Sequence, residues 1–187
     1  GIRDLKYAAA DARAIAKTLR NNAGYRLETI RVLTTEPGVA ATDLPLRVNI
    51  LRHLEDVAAA CEVGDTILVF FAGHGFEIAG KSYLAPMEAE PTNPDTLLAL
   101  DDVRARLGKA AARTKFLILD SCHSGDTRGD DQPMSTAFFD SLASDSNTFL
   151  TFASCRQSEV SHEDPRLAQG IYTRFLCEGL AGSADGA

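Results

Sequence analysis

Long apolar runs are missing from this chain: no stretch approaches the roughly 18 residues that a membrane-crossing helix requires. No basic segment followed by an apolar one opens it as a secretory leader would. The expectation is a soluble, cytoplasmic protein with no membrane partner. Cysteine is sparse as well. Cys61, Cys122, Cys155 and Cys177 stand far apart and none forms a CxxC pair, which excludes a disulfide framework and points to reduced thiols. A zinc site drawn from Cys122, His123, Cys155 and His162 has no ligand pair at finger spacing. Basic residues are nowhere dense. With 19 Lys and Arg against 26 Asp and Glu the formal net charge is -7, so nothing tracks a phosphate backbone and nucleic acid is excluded as a partner. The acidic balance suits a cationic substrate instead. No internal repeat or low-complexity segment interrupts the sequence.

What is present has the composition of an ordinary folded domain, 45% hydrophobic and 24% charged over 187 residues, and one domain over residues 1–187 is expected. Leu5, Ala8, Ala12, Ile15 and Leu19 step by three and four, which predicts an amphipathic helix ending near Asn21, Asn22 and Gly24, with Asp11 bordering its buried stripe. Residues 27–33 read as a strand. After Pro37-Gly38 a second helix carries Leu46, Ile50, Leu54, Val57 and Cys61 on one face, with Thr42 or Asp43 as its cap. Residues 66–72 and 115–119 are nearly continuous in Ile, Leu, Val and Phe, the pattern of strands covered on both faces. A hairpin at Ala79-Gly80-Lys81, a helix opening on Asp101-Asp102, a further strand over 148–153 and a closing helix with Ile171, Phe175, Leu176 and Leu180 complete the alternation. The fold class is α/β, a mostly parallel central β-sheet flanked by helices on both faces. Residues 124–147 are largely small, polar or acidic, the composition of a mobile loop.

Two of the buried runs deliver reactive groups just past their ends. The first leads into Gly73-His74-Gly75, the second into Asp120-Ser121-Cys122-His123-Ser124-Gly125. Ligands of open parallel sheets bind outside the carboxyl edge of the strands. The separation leaves room for one crossover, so the two strands can be neighbours with imidazole and thiol on one rim. A cysteine attacks a carbonyl carbon as its thiolate, and preorganised donors must receive the oxyanion. The backbone N–H groups of Gly75 and Cys122 suit that task, since glycine lets a substrate approach closely. His123 is not the expected partner of the thiol, because adjacent side chains leave an extended backbone in opposite directions. The bland alternative makes Cys122 a small buried hydrophobe and His74 a satisfied loop histidine. Cys61 and Cys177 lie on apolar helix faces and read as core, Cys155 as a pocket wall.

Phe71-Ala72-Gly73-His74-Gly75 taken together with residues 120–125 resembles the paired signature of caspase-like cysteine peptidases (clan CD, peptidase C14), in particular the metacaspase and paracaspase branch. Supporting stretches are residues 5–12, Tyr83-Leu84-Ala85-Pro86 and residues 153–159, so the likeness covers most of the chain. It implies a caspase-hemoglobinase fold and endopeptidase activity, with Cys122 as nucleophile and His74 as its partner. It also implies an acidic first specificity pocket at Asp11, Asp120 and Glu159. Converging carboxylates bind a guanidinium or ammonium and reject an acidic or apolar side chain. Protein or peptide substrates with Arg or Lys at the cut are therefore expected, and Arg128 is the matching self-cleavage site on an exposed segment.

No cofactor is required for this chemistry, but several metacaspases depend on calcium. The matching positions are Glu88, Asp101, Asp102 and one of Asp126 or Asp130, a set of oxygen ligands that departs from an all-Asp pattern. The alternative is that Asp101-Asp102 caps a helix. One departure from the family concerns the start: caspase-like domains open with a buried strand before the first helix, and this chain begins almost at that helix. Either the strand is absent or another segment replaces it, and further domains or subunits of a larger protein are expected as partners. The rival functional reading is a catalytically silent caspase-like module whose pocket binds a partner peptide.

Overall fold

The apolar runs lie side by side. Strand β1 (Thr66–Ile78) and strand β4 (Thr114–His123) form a parallel ladder from Thr66 opposite Thr114 to Gly75 opposite His123. The computed structural model describes residues 5–123, 149–154, 163–164 and 166–184, and for Cys122, His123, Glu163 and Asp164 it describes the backbone. Strand β2 (Lys81–Leu84) folds back on β1 through a tight turn in which Ala79 and Gly80 both take positive φ, 50° and 74°. That is the turn geometry whose twist matches a two-residue hairpin. Strand β3 (Leu98–Ala99) pairs antiparallel to β2, and β5 (Leu150–Ala153) parallel to β4, giving the order β3-β2-β1-β4-β5. The sheet is thus mixed, parallel at its centre and antiparallel toward one edge. A separate antiparallel pair joins β6 (Glu163–Asp164) to β7 (Gln169–Gly170).

Helices cover both faces. Helix α2 (Arg47–Ala60) and helix α3 (Leu100–Gly108) pack on one, where Leu54, Ala58, Val103 and Leu107 meet Ile67, Leu117 and Leu119 in a single buried cluster. Side chains alternate across a strand, so Ile118, also buried, belongs to the other face. There α1 (Ala8–Asn22) packs on β1 and against α4 (Ile171–Glu178), with Ile15 and Leu19 buried. Burying a leucine side chain fully is worth about 1.5–3 kcal/mol, and the two-sided burial explains why β1 and β4 read as unbroken apolar runs.

Four expectations need correction. Both strands outlast their apolar runs, so His74 and position 122 lie inside β1 and β4 rather than past their ends. The reason is pairing: beyond residue 74, β1 gains β2 as a partner. Residues 27–33 form no strand. They begin with a 3₁₀ turn over Leu27–Thr29, Leu27 is exposed, and the amides of Thr29 and Ile30 bond back to the carbonyls of Arg26 and Leu27. Apolar alternation makes a strand only where a ladder partner exists, and none of the described strands lies alongside. Neither Thr42 nor Asp43 caps α2; they belong to a 3₁₀ turn, Ala41–Asp43, that Asn49 ties down by donating to the carbonyls of Ala41 and Leu44. The cap role falls to Glu88, whose Oε1 accepts the Arg47 amide at 2.8 Å. Finally, Asp11 lies within the buried stripe of α1, only 4% exposed.

Candidate active site

His74 and Cys122 occupy directly opposed Cα positions in the β1–β4 ladder. Neighbouring strands run about 4.8 Å apart, so the two residues are as close as backbones of one sheet allow. Opposed positions share a face, and by the two-residue period so do Ala72 and Asp120, the next pair along. His74 is buried and sits where β1 changes partners: the parallel ladder stops at Gly75, and the same Gly75 starts the antiparallel ladder by facing Leu84. On that second flank the Ala85 N–H donates to the His74 carbonyl at 2.9 Å. Gly73, just before it, has no room for a side chain, because a Cβ there would lie 2.5 Å from the Phe71 ring.

Two carboxylates converge on the same face. Asp120 is buried on β4, and Thr173 of α4, wholly buried, donates its hydroxyl to Asp120 Oδ2 at 2.6 Å. Asp11 of α1 is bonded in turn by the amide of Gly170, the residue that caps α4, at 2.9 Å to Oδ1. A Cβ at Gly170 would stand 2.8 Å from Asp11 Oδ2 and 3.0 Å from Asp120 Oδ2. The two oxygens therefore lie on either side of one glycine. Thr173 and Gly170 went unnoticed in the sequence, where they read only as the start of a helix. Tyr172 senses one of these acids: burial, and then the negative charge of Asp120, push its phenol above the usual value of 10.0. Cys177, further along α4, has its thiol raised above 9.0 by burial, with Asp11 and Glu178 adding to the effect and a Thr18 hydrogen bond and Arg174 opposing it. Burial followed by Asp65 raises Cys61 in the same direction, against Lys115. Neither thiol has the electropositive setting of a nucleophile.

Residues 1–186 match the family model of the caspase domain, peptidase C14. The chain belongs to the caspase domain family. Among curated proteins, the human mucosa-associated lymphoid tissue lymphoma translocation protein 1 is 26% identical over 115 residues, 60% of this chain and 14% of that protein. Metacaspase-9 of Arabidopsis thaliana is 32% identical over 122 residues, 62% of this chain and 37% of the relative. Metacaspase-4 of the same plant is 28% identical over 131 residues, 65% and 30% respectively. The caspase domain described here thus corresponds to well under half the length of each. Its architecture, an α/β fold with a central sheet between two helical layers, is that of the caspase-hemoglobinase class.

The carboxylates that match the family's calcium positions are turned elsewhere in this caspase domain. Glu88 caps α2, Asp102 Oδ2 faces the Arg47 guanidinium at 3.3 Å, and Arg106 approaches the other Asp102 oxygen at 3.8 Å. Asp101 is exposed in the first turn of α3, 4.0 Å from Arg104. Among the described residues no three His, Cys, Asp or Glu side chains gather as metal ligands do. As arranged, the three described acids engage the α2 start and the arginines beside α3. Asp126, Asp130, Arg128, Cys155, Glu159 and His162 lie outside the described residues, as does the 124–147 segment. None of the described helices is long and apolar enough to cross a membrane.

Proposed function

We propose that this caspase domain is a cysteine endopeptidase that cuts proteins after Arg or Lys, with Cys122 as nucleophile and His74 as proton carrier. The observation that carries the reading is the direct opposition of positions 74 and 122 beside two buried carboxylates on one face of the sheet. In the first step the Cys122 thiolate forms a bond to the substrate carbonyl carbon, and the carbonyl oxygen takes the charge toward the N–H groups of Gly75 and Cys122. The carbon–nitrogen bond then breaks as the His74 imidazolium passes its proton to the leaving amine. Water, deprotonated by the same imidazole, hydrolyses the thioester and restores the thiol. Losing one oxyanion donor typically costs about 3 kcal/mol of transition-state stabilisation.

Asp11 and Asp120, with Glu159 as a third acid, select the residue before the cut. A guanidinium or ammonium neutralises them, an acidic side chain adds like charge, and an apolar one leaves them without a cation. Kinetics on two fluorogenic peptides, one ending in Arg and one in Asp, test this with Cys122→Ala as control. Turnover of the Arg peptide alone, absent in C122A and insensitive to a calcium chelator, is expected. Turnover of the Asp peptide alone would overturn the acidic pocket, and no turnover of either, with or without added calcium, would favour a silent peptide-binding module.

A further inference from the structure

We infer that Thr173 and Gly170 are positioning residues: they hold Asp120 and Asp11 in one fixed arrangement and so set the preference for Arg over Lys. This rests on the peptidase reading above. The terminal torsion of an aspartate is broad and roughly two-fold, so a carboxylate plane must be held by its surroundings. Here each acid has a dedicated donor from the first turn of α4. The 2.6 Å bond from Thr173 to Asp120 Oδ2 has the short length of a charge-assisted hydrogen bond, and Thr173 has no solvent exposure that would let water replace it. Gly170 contributes twice. Its N–H, at a helix start where the amide has no intrahelical partner, bonds Asp11 Oδ1, and its missing side chain leaves the gap that both Oδ2 atoms border.

Fixing two carboxylates in this way matters more for one cation than for the other. A guanidinium is a rigid planar fork whose donors need acceptors at set positions, while an ammonium is a compact charge with rotatable donors. Loosening the acids therefore weakens Arg recognition first.

The test measures kcat and KM for matched peptides ending in Arg and in Lys, per site titrated by a thiol alkylator, in wild type, Thr173→Val, Thr173→Ala and Thr173→Ser. The hydroxyl-free variants are expected to lower kcat/KM for the Arg peptide about tenfold or more, the usual effect of removing a hydrogen bond to a charged group. The loss falls mainly in KM, the Lys peptide suffers less, and T173S keeps the wild-type ratio. Two hydroxyl-free variants guard against one failing to fold. An Arg-to-Lys ratio unchanged in both, or lost equally in T173S, would overturn the inference while leaving the peptidase reading intact. A wild-type protein inert toward both peptides would overturn that reading itself.

Discussion

Asp11 of α1 and Asp120 of β4 border a single point beside Gly170, where an added Cβ would stand 2.8 and 3.0 Å from their Oδ2 atoms. A helix and a strand far apart in the sequence thus bring two carboxyl groups together in a nearly dry setting, at 4% and 7% exposure. Burying two carboxyl groups side by side is costly even where each is hydrogen-bonded, as these are by Gly170 and Thr173. On the proposed reading, the cationic side chain of a substrate offsets that cost.

Asp120→Asn keeps the shape of the site and removes a charge. It is expected to lower kcat/KM for Arg-ending peptides about a hundredfold, the scale of breaking a desolvated charge pair. Alkylation of Cys122 should proceed as before. Steady-state kinetics and mass spectrometry of the alkylated protein check the two halves.

Gly170→Ala inserts a methyl group where Asp11 and Asp120 border the gap. Overpacking of this kind costs about 1–3 kcal/mol, and cleavage after Arg should fall with it. Gly64→Ala is the control, because a Cβ there meets nothing within 4 Å; its effect should stay within about 0.5 kcal/mol. Urea denaturation of both variants measures the difference, and equal midpoints would contradict the tight geometry at residue 170.

Leu117→Ala removes a fully buried side chain at the centre of the sheet, whereas Leu27 is 60% exposed. The first should cost about 2–5 kcal/mol. Leu27→Ala should be close to neutral. A strand over 27–33 would have made the second substitution costly too, so this pair of denaturation curves also checks the absence of that strand.

Tyr25, Tyr172, Cys61 and Cys177 all have their ionisation raised, in each case chiefly by burial. The folded state therefore holds these protons to higher pH than the unfolded chain does. Stability from them is complete below the ordinary values of 9.0 for the thiols and 10.0 for the phenols, and is lost as pH climbs from there through the raised values. Urea midpoints at pH 7.5 and 9 should nearly agree, and the midpoint at pH 10.5, inside that window, should be lower. Tyr172→Phe should flatten the decline.

Cleavage after basic residues would act on this chain at Arg128. Purified active protein should yield fragments ending at that residue, and Cys122→Ala should remain whole. Intact-mass measurement decides, and a fully active enzyme still joined at 128–129 would sink the self-cleavage proposal.

The candidate residues were legible because reactive types are rare and their order resembles a family signature. His74 and Cys122 stood out by identity and setting, Asp11 and Asp120 through the family resemblance. What the sequence could not carry was register: nothing in two apolar runs says that residue 74 faces residue 122 and not 121, since that depends on the pairing of both strands. Thr173 and Gly170 were hidden for a different reason. A hydroxyl and a missing side chain have no periodic signature, and their roles exist only once α4 is laid against α1. The strand expected over 27–33 failed on the opposite count, having the right residue pattern but no ladder partner among the described residues.

The peptide unit of His74 is gripped from two directions, by the β4 ladder on one flank and the Ala85 amide on the other. The imidazole is thereby mounted on a backbone held on both flanks. Displacing that ring through its backbone would mean parting hydrogen bonds on both flanks at once.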